Sequence, residues 1–170
     1  MNNVVLIGMP GCVKTTIGRR AAAILGMGFL DLDECIVKSE GKTIPVIFQG
    51  SGETRFREIE TRTLADIADP AGGPDAAAFV LSAGGGIVTR TENKALLKKI
   101  GRVIFIYREL CEIEASVAWD ADRPLLKDPE ALRRLWEERR SLYRSWADRE
   151  FVNTAGEEKA AERLAKIIAG

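Results

Sequence analysis

Short apolar segments alternate with longer amphipathic segments along the whole chain. Five apolar segments have the length and composition of buried strands: Val4–Gly8, Gly28–Asp33, Ala78–Gly86, Arg102–Tyr107 and Glu150–Thr154. Between them, apolar residues recur three and four positions apart, as in amphipathic helices, most clearly in "ENKALLKKI", "PEALRRLWEERRSLYRSWADR" and "EEKAAERLAKIIAG". This alternation predicts an α/β fold with a five-stranded parallel sheet flanked by helices.

Length and composition narrow the class of protein. The chain has 170 residues, 46% hydrophobic and 29% charged, which suits one domain over residues 1–170 with a surface loop at Asp69–Asp75. Lys plus Arg and Asp plus Glu are 25 each, so the charge favours neither nucleic acid nor a membrane surface as partner. Three cysteines without a C-x-x-C pair, and no histidine, argue against zinc. No targeting segment or run of eighteen apolar residues is present, so we expect a cytoplasmic protein. We also expect a monomer that acts on small molecules.

Ligands of open parallel sheets bind beyond the carboxyl ends of the strands, and the first such end carries a phosphate-loop pattern. In G-x-x-x-x-G-K-[S/T], Gly8, Lys14 and Thr15 hold the expected positions, while Val13 replaces the second glycine. Backbone N–H groups of such a loop bind phosphates, and the lysine adds a charge. A Gly/Pro turn before a helix is the alternative, but the Lys-Thr pair argues against it. The predicted ATP-binding residues here are Gly8, Met9, Pro10, Gly11, Cys12, Val13, Lys14, Thr15 and Thr16.

Two carboxylates follow the second strand. Asp31 and Asp33 point to the same face if the strand continues that far, and a turn would free them otherwise. One could lie in the outer shell of Mg²⁺ while the other accepts a proton or hydrogen bond from a substrate hydroxyl. A pair of helix N-caps is an equally good interpretation of these two residues alone.

Two further segments have candidate chemistry. In "GSGETRFREIE", Arg55, Arg57 and Glu60 lie near the start of a helix, where an arginine fork could bind a carboxylate, although a solvated helix face is the commoner case. After the third strand, Gly84, Gly85 and Gly86 have no Cβ, so a flat ring could pack against their backbone.

Taken in order, these motifs resemble the shikimate kinase family, which has the nucleoside-monophosphate-kinase-like P-loop fold. The resemblance covers essentially the whole chain. It includes the phosphate loop, D-x-D after the second strand, "IFQGSGETRFREIE", the three glycines, "RPLL" from Arg123 and "RRSLY" from Arg139.

The resemblance implies ATP-dependent phosphorylation of the 3-hydroxyl of shikimate, giving shikimate 3-phosphate on the route to aromatic amino acids. Arg57 and Arg139 would clamp the carboxylate of shikimate. Asp33 would hydrogen-bond the hydroxyls and orient or deprotonate the attacking one, and Gly84–Gly86 would line the ring. Glu60 would hold Arg57 rather than contact the substrate.

The resemblance also implies roles on the nucleotide side, with ATP as co-substrate. Lys14 and Arg123 would neutralise charge on the transferring phosphoryl group. Arg123 would also bind ATP, and a mobile lid over approximately residues 118–129 would bring it to the site. Thr15 and, through water, Asp31 would hold Mg²⁺.

Departures from the family pattern cluster on the nucleotide side. Val13 replaces glycine, which predicts a working kinase with weakened nucleotide binding. Where the family tends to place a basic residue for adenine, the chain has "EASVAWDAD", with Ser116 and Trp119. The loop after the last strand, "NTAGEEKAAE", lacks the Arg and Pro of some relatives. Trp119 could stack on the base or pack under the lid.

Two alternatives remain open. The chain could be a degenerate kinase that only binds a shikimate-like carboxylate, or a kinase of another small hydroxy acid such as gluconate. Cys12 lies near a helix N-terminus and is either a reactive thiol or a small filler, whereas the other two cysteines are expected in the core.

Overall fold

The sheet of this computed structural model, which describes residues 2–69, 78–116, 128–154 and 156–170, has five parallel strands. Their order is β2-β3-β1-β4-β5. The strands are β1 Val4–Ile7, β2 Gly28–Asp31, β3 Phe79–Ser82, β4 Arg102–Tyr107 and β5 Arg149–Val152. The predicted five-stranded parallel α/β fold is therefore confirmed.

Helices connect the strands in the part of the chain that the structure describes. They are α1 Lys14–Leu25, α2 Leu32–Glu40, α3 Ile44–Ala68, α4 Asn93–Ile100, α5 Leu110–Ser116, α6 Pro129–Trp146 and α7 Glu157–Ala169, with a short 3-10 helix at Ile87–Thr89. Helix α1 packs against α7, and α3 packs against α2 and α4. Over the described residues, no helix combines the length and apolar composition needed to span a bilayer.

The core lies around the central strands β1, β3 and β4. All four residues of β1 and all four of β3 are buried, and apart from Ser82 at the end of β3 all of them are apolar, without polar alternation. Each large aliphatic side chain buried in this way stabilises the fold by about 1.5–3 kcal/mol. The central strands therefore form a rigid base for the loops at their carboxyl ends.

Strands β1, β2, β3 and β5 all end earlier than predicted, at Ile7, Asp31, Ser82 and Val152. Strand β2 ends at Asp31, since the Asp31 carboxylate accepts from the N–H groups of Asp33 (2.9 Å) and Glu34 (3.4 Å) and caps α2. The N-cap interpretation thus holds for Asp31, while Asp33 lies in the first helical turn. Helix α3 is kinked at Gly52, where φ is 74° and ψ is 174°. Trp119, Arg123 and most of the predicted lid lie outside the described residues, as does most of the predicted loop Asp69–Asp75.

Candidate active site

A cavity of about 420 Å³ opens beyond the carboxyl ends of β1, β2 and β3. This is the edge of the sheet where the sequence placed the chemistry. The predicted site residues that line it are Pro10, Gly11, Lys14, Thr15, Asp31, Asp33, Arg57, Gly84, Gly85, Gly86 and Arg139. Gly8, Met9, Cys12, Val13 and Thr16 belong to the same loop and helix start but are not part of the cavity wall.

The phosphate loop joins β1 to α1 through several residues with positive φ. Gly8 has φ 151°, and a Cβ there would lie 2.6 Å from the Ile106 carbonyl oxygen, so only glycine fits. Val13 is the N-cap of α1 with φ 59° and ψ 26°, and it has the one positive φ of a non-glycine residue in the described ranges. The loop therefore adopts the left-handed turn with valine in place, although this conformation strains a β-branched residue by about 1–3 kcal/mol.

Lys14 is buried and folded over the loop. Its Nζ donates to the carbonyl oxygens of Gly8 and Met9, both at 3.0 Å, and lies 3.7 Å from Cys12 Sγ. These three contacts take up all three N–H donors of the ammonium group, so Lys14 must exchange at least one of them for a phosphate oxygen when a nucleotide binds.

The thiol of Cys12 is fully buried, which agrees with its interpretation as a filler. The expectation that both other cysteines fill the core is wrong, because Cys111 is exposed and Cys35 is half-buried. Cys111 lies in the first turn of the short helix α5.

Thr15 and Asp31 form an oxygen-rich pair at the cavity. Thr15 Oγ1 donates to Asp31 Oδ2 at 2.7 Å and is 3.1 Å from Ser82 Oγ. Because the threonine proton is directed to Asp31, the Ser82 hydroxyl donates to one lone pair of Thr15 Oγ1, and the other lone pair remains for a cation. Among the described residues, no cluster of three or more His, Cys, Asp and Glu is arranged to hold a metal. A few protein oxygens completed by phosphate and water suit Mg²⁺.

Asp33 is accessible from the cavity but closely surrounded by protein. This partial burial raises the pKa of its carboxyl group above the usual 3.8, and the neighbouring Asp31 raises it further. Lys14 and Arg57 oppose both effects by attraction. A carboxylate with a raised pKa is a better proton acceptor than an ordinary aspartate.

Arg57 and Glu60 form a buried ion pair on α3, one helical turn apart. Arg57 Nη1 donates to Glu60 Oε2 at 2.8 Å, and Nη2 donates to the half-exposed Glu53 at 3.3 Å. Burial raises the pKa of Glu60, although Arg57 counteracts it. The solvated-face interpretation is therefore wrong for Arg57 and right for Arg55, which pairs with Glu58 at the surface. The contact agrees with the expectation that Glu60 holds Arg57.

Three buried polar atoms at the cavity have no hydrogen-bond partner among the described residues. They are Arg57 Nε, Glu60 Oε1 and Arg139 Nε. An unpaired buried polar group destabilises the folded state by about 1–3 kcal/mol, so such groups are rare in proteins and often have a function. All three atoms are shielded from solvent, so a ligand in the cavity reaches them only if neighbouring groups shift.

The three glycines allow site elements to pack closely. A Cβ at Gly84 would lie 2.7 Å from Glu60 Oε1, one at Gly85 would lie 2.6 Å from the Pro10 ring, and one at Gly86 would overlap the Arg57 guanidinium. The carbonyl oxygen of Gly85 accepts from Arg139 Nη1 at 3.2 Å. The glycines line the cavity, and neighbouring side chains already give a reason for their small size.

Sequence reasoning missed some parts of this site. Tyr143 is fully buried and donates its hydroxyl to the Gly85 carbonyl oxygen beside Arg139. Its position four residues after Arg139 on α6 places both on one helix face, which could have identified it. Phe48 and Phe56 form an apolar wall on either side of the α3 kink, with ring centroids 4.7 Å apart. No pattern in the sequence indicated that a kink would bring these two rings together.

Known proteins resemble the chain over nearly its full length. The family model for shikimate kinase matches residues 10–169. The shikimate kinase of Clostridium beijerinckii is 42% identical over 149 residues, covering 87% of this chain and 83% of the relative.

Solved structures give the same result. The shikimate kinase of Acinetobacter baumannii, solved in complex with shikimate, superposes with a TM-score of 0.87 at 36% identity, covering 99% of this chain and 91% of that one. The shikimate kinase of Aquifex aeolicus gives a TM-score of 0.81 at 31% identity, with 99% and 96% coverage. The chain therefore belongs to the shikimate kinase family.

Proposed function

We propose that this protein transfers the γ-phosphoryl group of ATP to the 3-hydroxyl of shikimate, giving shikimate 3-phosphate and ADP. The observation that carries the proposal is one cavity that brings the phosphate-loop lysine, a carboxylate with raised pKa and two buried arginines together. Membership of the shikimate kinase family supports the same reaction.

The acceptor end of the cavity suits a small carboxylate that carries hydroxyls. Arg57 and Arg139 bind the shikimate carboxylate, since both arginines line the cavity and a guanidinium group can form paired hydrogen bonds with a carboxylate. Glu60 keeps Arg57 in place and neutralises part of its charge. The glycine loop, Gly84–Gly86, lies along the ring.

Proton transfer falls to Asp33. In the ionised form its carboxylate accepts the proton of the 3-hydroxyl as that oxygen attacks the γ-phosphorus. The raised pKa increases the proton affinity of the Asp33 carboxylate, while attraction to Lys14 and Arg57 favours its ionised form. The bond between the γ-phosphorus and the bridging oxygen breaks, and ADP leaves.

The nucleotide end uses the phosphate loop. Its backbone N–H groups and Lys14 bind the β and γ phosphates, and Arg123 adds a second cation, as the family resemblance implies. Thr15, which hydrogen-bonds Asp31, would hold Mg²⁺ together with Asp31 acting through water, and the ion would neutralise charge on the phosphate oxygens. We further propose that the enzyme works as a cytoplasmic monomer.

A coupled assay of ADP release with shikimate, with gluconate and with no acceptor tests the proposal. We expect ADP release that depends on shikimate, and mass spectrometry should identify shikimate 3-phosphate. Release with gluconate alone would assign another hydroxy acid. Shikimate binding by calorimetry without any turnover would indicate a degenerate kinase that only binds the acid.

A further inference from the structure

The sheet order separates the two ends of the reaction. Strands β2 and β3 lie on one side of β1, and β4 and β5 lie on the other. The acceptor cavity lies beyond β1, β2 and β3, and the phosphate loop follows β1. If the γ phosphate faces the acceptor, the nucleoside end of ATP extends towards the carboxyl ends of β4 and β5. The group that holds the base should therefore come from the segments that follow these two strands.

Arg108 is the first residue after β4 and reaches back to the phosphate loop. Its Nη1 donates to the Gly11 carbonyl oxygen at 3.3 Å and to Ser116 Oγ at 2.9 Å. Its Nε lies 3.5 Å from Glu112 Oε2. Three contacts thus hold the guanidinium between the phosphate loop and α5, while 21% of the side chain stays exposed.

The described residues that directly follow β4 and β5 include a single basic side chain. In residues 108–116 and 153–156, which follow β4 and β5, Arg108 is the one basic residue. The loop after β5 begins beside it, because the Asn153 N–H donates to the Tyr107 carbonyl oxygen at 2.8 Å. Arg108 therefore lies where the two loops that should surround a base come together.

We propose that Arg108 binds the purine base of ATP, with its planar guanidinium group stacked on the ring. An arginine fixed in its plane by hydrogen bonds is well suited to stacking on an aromatic face. Ser116 stands near the position where the family resemblance suggests a basic residue, and Arg108 reaches this position from the end of β4. This proposal rests on the proposed function, since it requires ATP as the phosphoryl donor.

A purely structural role is the rival explanation. Through the Gly11 carbonyl, Arg108 could simply brace the phosphate loop and have no contact with the base. Inorganic tripolyphosphate separates the two roles, because it has the phosphates of ATP without the base. A brace would affect both ligands equally, whereas stacking would affect only the nucleotide.

The experiment measures binding of a non-hydrolysable ATP analogue, of tripolyphosphate and of shikimate by calorimetry, for the native protein and Arg108→Gln. We expect the variant to bind the ATP analogue about tenfold more weakly, as the loss of one stacked cation implies. Binding of tripolyphosphate and shikimate should be unchanged. Arg108→Lys, which keeps a charge near Gly11 without the planar group, should show the same selective loss and serves if the glutamine variant folds poorly.

Two further variants sharpen the test. Arg133→Gln removes an exposed arginine that is paired with Glu114 of α5, and it should leave all three affinities unchanged. The double variant Arg108→Gln/Ser116→Arg should regain affinity for the ATP analogue, because Ser116 faces the same space.

Equal losses for the ATP analogue and tripolyphosphate, or no loss for either, would overturn the assignment of Arg108. A native protein that turns over shikimate with ATP while Arg108→Gln binds the analogue normally would remove this inference alone. A native protein that binds no ATP analogue would remove the proposed function as well.

Discussion

Replacing Val13 tests whether the left-handed turn before α1 is a property of the folded chain itself. Val13 has φ 59° and ψ 26°, which strains a β-branched residue by about 1–3 kcal/mol. From sequence alone, an open loop could relieve this strain, and ATP would then have to supply the closing energy. The structure has the turn in place with valine, so we expect the strain to lower stability rather than ATP affinity.

The effect of Val13 on the free energy of unfolding can be worked out by comparing two variants with small residues at this position. Val13→Ala removes the half-buried isopropyl group, and Val13→Gly removes the remaining Cβ as well. At a left-handed residue glycine is favoured over alanine by about 1–2 kcal/mol, while its greater freedom in the unfolded chain offsets about 0.4–1 kcal/mol. The free energy of unfolding of Val13→Gly should therefore exceed that of Val13→Ala by about 0–1.5 kcal/mol.

Urea denaturation measures the free energy of unfolding of each variant, and calorimetry measures its affinity for a non-hydrolysable ATP analogue. Ala23→Gly, at an exposed position of helix α1, is the control and should lose about 1 kcal/mol. ATP affinity should differ by less than about threefold between Val13→Gly and the native protein, or ~0.7 kcal/mol.

Two results would refute this reasoning. If Val13→Gly were less stable than Val13→Ala by as much as the control, Val13 would not be left-handed in solution. If Val13→Gly bound the ATP analogue about ten- to a hundredfold more tightly with stability unchanged, the closing energy would come from ATP, as the sequence suggested.

Three further predictions concern the acceptor side. Arg57→Lys and Arg139→Lys each remove a guanidinium group that can form two hydrogen bonds, so the KM for shikimate should rise about tenfold or more while the Kd for ATP stays unchanged. An unchanged KM in both variants would contradict the assignment of these arginines to the shikimate carboxylate. Gly86→Ala should also raise the KM for shikimate, because its Cβ would overlap the Arg57 guanidinium. Gly50→Ala is the control and should leave this KM unchanged, since the space around Gly50 is open. The same KM in both variants would contradict the packing argument. Asp33→Asn should lower kcat about a hundredfold and abolish the acidic limb of the kcat/KM profile, which lies above pH 3.8 because the pKa of Asp33 is raised. Because the pKa of Asp33 is raised on folding, the folded state binds this proton more tightly than the unfolded chain, and the stability that Asp33 contributes is lost as the pH rises through the folded pKa. In urea denaturation at pH 7, Asp33→Asn should therefore be more stable than the native protein. An unchanged or lower free energy of unfolding for the variant would contradict the raised pKa.

Sequence patterns predicted the parts of the molecule that depend on local periodicity. The five strands follow from continuous apolar runs, because central parallel strands are buried on both faces. The position of Lys14 and Thr15 at the site was predicted from their spacing to Gly8, which is specific to the phosphate-loop pattern. Asp31 illustrates the limit, since strand continuation and helix capping fit the same letters. Only the hydrogen bonds to the Asp33 and Glu34 N–H groups decide between them.

Long-range contacts could not be predicted from the same patterns. Arg55 and Arg57 look alike in sequence, yet one is exposed and the other is buried beneath the glycine loop. Arg108 has no motif around it, and its contact with Gly11 joins residues 97 positions apart. Such roles depend on which loops the strand order brings together, and the strand order cannot be inferred from local composition.

The groups that define the site also weaken the folded chain. Val13 is strained, Asp33 and Glu60 have raised pKa values because burial disfavours their charges, and the Nε atoms of Arg57 and Arg139 lack partners among the described residues. A bound carboxylate supplies partners for both arginines, so ligand binding and folding stability are linked. At a ligand concentration one hundred times its Kd, this linkage stabilises the folded state by about 2.7 kcal/mol. Before the substrate arrives, Arg57 is held by Glu60 and Glu53, and Arg139 is held by the Gly85 carbonyl oxygen.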